Sequence, residues 1–175
     1  MSIFLPGVPA PGEYASFFGG YIAKAQDFAD PVKKLDEQMS EFLDLLEELD
    51  EQKQLHRYAP GKWSVKDVVG HLIDAERIFA YRALRIARGD QTPLSGFDEN
   101  AYVRAAEADR FDWQTLLEEF IIVRRTSILM LQRMPDEAWM RRGTASDAAI
   151  SVRALAYIMI GHVAHHLEIL RERYL

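Results

Sequence analysis

Gly161-His162-Val163-Ala164-His165-His166 stands close to the C-terminus and holds three of the five histidines of a 175-residue chain. From Ser151 onward, Leu155, Ile158, Met159, His162, His166 and Ile169 recur at spacings of three and four, which is one face of an α-helix. His162 and His166 therefore project from that face one turn apart. A single histidine on a core stripe is ordinarily a hydrogen-bonded packing residue. Two stacked imidazoles double the demand for partners in an apolar interior, and a divalent cation answers both at once. His165 lies roughly 60° from His162 around the helix, at the edge of the stripe. It suits a pocket wall or a support for the ligands, although spacing alone also permits a His162/His165 pair.

A metal on this helix needs a third ligand from a facing one. Ser64 with Asp67 three residues on is a short capping box, and Gly89 ends the helix it opens. Val68, His71, Ala75, Ile78, Phe79 and Ile86 form the apolar stripe of that helix. Arg82 interrupts the stripe and Asp74 flanks it. His71 is thus the best third ligand, whereas His56 lies near a loop and reads as exposed. Asp30-Pro31 supplies an N-cap and a proline at the first helical position. The helix it starts carries Val32, Leu35, Met39, Phe42, Leu46 and Leu49 as a seam for other helices, within the chain or across a dimer. Asp112 caps a further long helix that Pro135 stops, and Arg124 sits in the middle of its stripe.

Four long amphipathic helices predict an all-α four-helix bundle, a single domain over residues 1–175. Short extra helical segments are expected from Glu13 to about Gln26 and from Asp98. Pro6, Pro9 and Pro11 make residues 1–12 an extended N-terminal arm. Ser146–Ala149 reads as loop, and no segment of alternating hydrophobicity predicts a strand.

The formal charge of −6 argues against a non-specific nucleic-acid binder. The chain has no cysteine, so any metal site must use His, Asp or Glu. No apolar run approaches the ~20 residues of a spanning helix, and no signal pattern opens the chain. The expectation is a cytoplasmic protein with a small-molecule substrate and neither a nucleic-acid nor a membrane partner.

Three neutral imidazoles leave the fourth position of a zinc ion open to water and lower that water's pKa to about 7. Nickel, manganese and iron also accept imidazoles. The catalytic group would then be the metal-bound water, with His165 placed to assist it. Arg82 and Arg124 stand where their helices should be apolar. Each either pairs with a carboxylate (Asp74, Glu76, Asp98 or Glu99) or lines the metal pocket and grips an anionic substrate. Trp63, with Phe79, Phe97 and Tyr102, is suited to flooring such a pocket.

These residues resemble a known family. Lys62-Trp63-Ser64-Val65-Lys66-Asp67-Val68-Val69-Gly70-His71-Leu72 and Gly161 to His166 resemble the ligand segments of the DinB/YfiT-like metal-dependent enzymes. Pro93 to Asp98 and Ile150 to Leu155 resemble one branch of the family. The resemblance implies a metal triad of His71, His162 and His166, one zinc or nickel ion per chain, and a homodimer. It also implies thiol chemistry, since members of the family include thiol transferases that use low-molecular-weight thiols and a thiol-dependent isomerase; hydrolysis of a bond is the other reaction open to such a metal site. Thiol-transferase members often follow the last histidine with Gly-Gln, where this chain has Leu167-Glu168. The expected function is a metal-dependent enzyme acting on a small anionic molecule. The alternatives are a non-catalytic metal- or small-ligand-binding stress-response protein, and a bundle whose work is oligomerisation.

Overall fold

The computed structural model describes residues 4–175, so the first three residues of the expected arm lie outside the described residues. The elements in chain order are α1 (Gly19–Ala25), α2 (Pro31–Leu46), α3 (Glu51–Gln54), α4 (Val65–Ala87), α5 (Glu99–Ala106), α6 (Trp113–Gln132), β1 (Arg142–Ala145), β2 (Ala148–Ser151) and α7 (Val152–Arg173). Single turns of 3₁₀-helix precede α1 and link several of the others.

Local chemistry sets the helix starts. Asp30 accepts from the amides of Val32 and Lys33, both at 3.0 Å. Ser64 and Asp67 close a reciprocal capping box, and Asp98, Asp112 and Ser151 cap α5, α6 and α7. Each cap meets amide groups that the first turn of a helix leaves without partners.

The four long helices form the bundle. Both α2 and α4 pack against α6 and α7, so α2 stands diagonal to α4, and α6 to α7. Consecutive long helices are therefore diagonal rather than adjacent, except α4 and α6. The core lies in two apolar halves. One gathers the N-terminal ends of α2 and α7 with the C-terminal ends of α4 and α6, and the other gathers the opposite ends. Thus α4 and α6 run parallel, and the chain between them, α5 included, must travel back along the bundle.

Two expectations are corrected. The first helix does not begin at Glu13: a 3₁₀ turn covers Ser16–Phe18 and the α-helix starts at Gly19. Glu13 is committed elsewhere, its buried carboxylate accepting from Ser151 Oγ and Arg153 Nε, both at 2.8 Å, and so pinning the arm to the start of α7. The expected strand-free chain contains an antiparallel hairpin, with Ala145 paired to Ala148 across a two-residue turn. Ser146 and Asp147 both adopt left-handed φ, +50° and +59°, which is the turn geometry that matches strand twist. Gly143, Ala145, Ala148 and Ala149 are too small to show alternation, so the strands leave no periodic trace in the sequence.

Arg153 holds the Glu13 carboxyl down to about 2. The sign follows directly: with its folded pKa below its unfolded one, Glu13 stabilises the fold fully above about pH 4.5, and that share is lost as pH falls towards about 2. Urea midpoints of Glu13→Gln and the parent should therefore converge between pH 6 and pH 3. A gap independent of pH would show that the ionised carboxylate does not anchor the arm.

Candidate metal centre

His71 lies in the second turn of α4, and His162 and His166 lie one turn apart on antiparallel α7. One ring nitrogen from each of the three falls within 4.8 Å of the other two. The Nε2 atoms of His71 and His162 approach to 2.9 Å. The residues His71, His162 and His166 are 4%, 4% and 9% exposed. Burial pushes His71 down to about 4 and His166 to about 3, and holds His162 well below its ordinary value.

At neutral pH the three imidazoles are therefore uncharged, and each has a lone pair to offer. Each neutral ring carries one N–H and one lone pair, and with the N–H on the outer nitrogen all three lone pairs are free to face a common point. A divalent cation takes all three lone pairs together, and the donor set fits it.

Two clefts meet at the triad. The first, about 300 Å³, is lined by Tyr58, Lys62, Trp63, His71, His165 and His166, among others. The second, about 320 Å³, is lined by His71, His162, Arg82, Ser146 and the rings of Phe17, Phe18, Phe79 and Phe97. Tyr21, His71 and Glu99 border both. Trp63 lies 4.8 Å from His71, centroid to centroid, and stacks at 19° to His166. Tyr21 sets its ring edge-on to His162 at 5.3 Å and tilted to His165 at 5.5 Å. The structure thus brings Trp63, His165 and Arg82 to the cleft walls, and leaves His56 exposed.

Arg124 is the correction. It does not line either cleft: it is 0% exposed and donates to Glu76 and Gln38, both at 3.0 Å. Gln38 in turn donates to the carbonyl of Ile160 at 2.9 Å. This chain of contacts joins α4, α6, α2 and α7 just below the triad. A guanidinium at the centre of a bundle needs a counter-charge within the protein, and Glu76 supplies it. Arg82 has a different environment. It is 2% exposed, and its Nη2 donates to the Ser95 carbonyl at 2.8 Å and to Ser146 Oγ at 3.1 Å. Burial pulls its pKa below the usual arginine value.

Sequence reading passed over Tyr21, Ser146 and Gln38 as site-forming residues. Only Tyr21 left a signal, and it lies in its partner helix: Gly161 inside an otherwise apolar helix marks a close backbone approach. A β-carbon at Gly161 would stand 1.9 Å from the Tyr21 carbonyl oxygen.

No curated protein matches the sequence. Among solved structures the fold resembles YfiT from Bacillus subtilis, described as a probable metal-dependent hydrolase with an unusual four-helix bundle topology. The likeness covers 96% of this chain and 95% of that one, with a TM-score of 0.74 at 20% sequence identity. The DinB superfamily model matches residues 34–170, which take in all four bundle helices from the first turn of α2 and every member of the triad, and the chain belongs to that superfamily.

Proposed function

We propose that the protein is a metal-dependent enzyme holding one divalent ion, zinc or nickel, on His71, His162 and His166, and that it acts on a small anionic molecule by a hydrolase-like reaction. The observation that carries this reading is the convergence of three buried, neutral imidazoles where two clefts meet. An ion on three imidazoles keeps a position open at which it can activate water or polarise a substrate oxygen. The description of YfiT as a probable metal-dependent hydrolase supports water as the acceptor. Thiol transfer with a low-molecular-weight thiol is the second form, and the Leu167-Glu168 pair after the triad departs from it.

The protein's own groups orient and shield. Trp63 and Tyr21 cover the imidazoles and limit water at the site, while His165 lines the first cleft, within reach of a substrate there. Arg82 lines the second. The charge of −6 suits a small ligand rather than nucleic acid, and no helix of the described residues is long and apolar enough to cross a membrane. A homodimer in the cytoplasm completes the reading.

Protein freed of tag and chelator should carry close to one divalent ion per chain. His71→Ala, His162→Ala and His166→Ala should each abolish it, whereas His56→Ala should not. Loaded protein should then turn over members of a panel of activated esters and amides, or conjugate monochlorobimane when thiols are supplied. Full metal content in the triple variant would overturn the site. Metal binding without turnover would favour a sequestering protein over an enzyme.

A further inference from the structure

Buried arginines in one chain offer a comparison of their charge balance. Arg124 is neutralised by Glu76 at 3.0 Å. Arg82, 2% exposed at the wall of a cleft, has among the described residues no carboxylate within 4.0 Å of it. Only Nη2 of Arg82 is engaged, and its two acceptors are a neutral carbonyl and a neutral hydroxyl. The Nε and Nη1 donors have no protein partner among the described residues. Guanidinium stays protonated in proteins, so its charge cannot be removed by titration. Burial without a counter-charge is costly, and an anion that enters the cleft relieves it.

The scaffold around Arg82 is built rather than incidental. The segment around Leu94 runs beside β1, with the Leu94 amide donating to Thr144 and the Ser146 amide to the Leu94 carbonyl, both at 2.9 Å. These bonds hold Ser95 and Ser146 where they grip Nη2. Ser146 accepts from Arg82, so its own hydroxyl proton remains to donate into the cleft. The cleft that receives these donors is the one walled by His71 and His162.

We propose that Arg82 and Ser146 form a carboxylate seat, and that the substrate is a small monocarboxylate with an aromatic or branched apolar body. This rests on the metal-dependent reading for the reaction but not for the binding. A single cation and a hydroxyl suit one negative charge, and Glu99 on the same wall opposes a polyanion such as phosphate. Phe18, Phe79 and Phe97 offer the body an apolar bed, and Phe97 also packs its ring 6.0 Å from the guanidinium carbon. A cleft of about 320 Å³ has room for a molecule the size of phenylacetate.

Phenylacetate and its neutral isostere phenylacetamide are the probes, titrated calorimetrically into metal-loaded and chelator-treated protein. The parent should prefer the acid at least tenfold. Arg82→Met should weaken phenylacetate roughly ten- to hundredfold and leave phenylacetamide unchanged, with metal content intact. Ser146→Ala, the milder change, should weaken the acid several-fold if Arg82→Met does not fold. Binding that survives Arg82→Met but vanishes on chelation would overturn the seat, because the carboxylate would then be a metal ligand. So would equal affinity for acid and amide. Loss of melting temperature in Arg82→Met with unchanged affinity would likewise overturn it. Preference for the acid in protein that binds no metal would support the seat while refuting the metal-dependent reading.

Discussion

Glu76→Leu is expected to lower the unfolding free energy by about 3–5 kcal/mol, the cost of stranding a buried charge. Glu76 is 2% exposed and Arg124 0%, so neither group can turn to solvent when its partner is removed. Arg124 would keep one neutral acceptor, Gln38. Arg124→Met should cost a similar amount by leaving the Glu76 carboxylate unpaired. The pair is also imperfectly satisfied, since Glu76 Oε1 and Arg124 Nε have no hydrogen-bond partner. The double variant Glu76→Leu/Arg124→Met should therefore recover most of the loss, because well-packed apolar replacements of a buried ion pair are often neutral. Urea denaturation of the two single variants and the double variant measures the coupling. A loss under about 1 kcal/mol in both single variants would show that solvent reaches the pair. None of the three should alter the triad's ligand set, because neither residue borders the clefts.

Gly161→Ala is the second large effect, and here the substitution adds an atom. Its β-carbon would lie 1.9 Å from the carbonyl oxygen, 2.5 Å from the carbonyl carbon and 2.7 Å from the α-carbon of Tyr21. All three are backbone atoms of α1, so no side-chain rotation gives relief. Alanine gains roughly 1 kcal/mol over glycine in helix propensity, and the clash outweighs it. A loss of about 3 kcal/mol, the upper end for overpacking, is expected as α1 lifts from α7. Tyr21 would leave His162 and His165 with it, opening the partition between the clefts. Accelerated amide exchange over Gly19–Ala25 with a lowered melting temperature is the predicted pattern. Gly20→Ala is the control, because nothing lies within 4 Å of the β-carbon it would add. If Gly161→Ala behaved like that control, the close packing of α1 on α7 would be refuted.

The metal-dependent reading and the carboxylate seat are separable at the bench because they use different atoms of one cavity. The proposed metal would be held by ring nitrogens of α4 and α7. The proposed seat would use donors of Arg82 and Ser146, and Ser146 belongs to a hairpin that no periodicity announced. Its turn takes left-handed φ at two residues that are not glycine, a cost the flanking strand pairs must offset.

Sequence alone determined what is settled within a turn or two of helix. Ser64 with Asp67, Asp30 with Pro31, and the aspartates and serine before α5, α6 and α7 act on amides two or three residues away, so their effect is local and visible. The spacing of His162 and His166 is likewise a property of one helix, and the apolar stripe that carries His71 identified its partner. Tertiary structure alone decided which groups those stripes meet. Arg82 and Arg124 are alike in sequence, each a cation interrupting an apolar face, and Glu76 was one of several candidate partners. The diagonal placement of α2 and α4 brings Glu76 and Gln38 to Arg124, 48 and 86 positions distant in the chain, and leaves Arg82 facing a cleft with neutral acceptors. A charge's fate in a core is set by what lies within a few ångströms, and that is fixed by helix packing rather than by the pattern along any one helix.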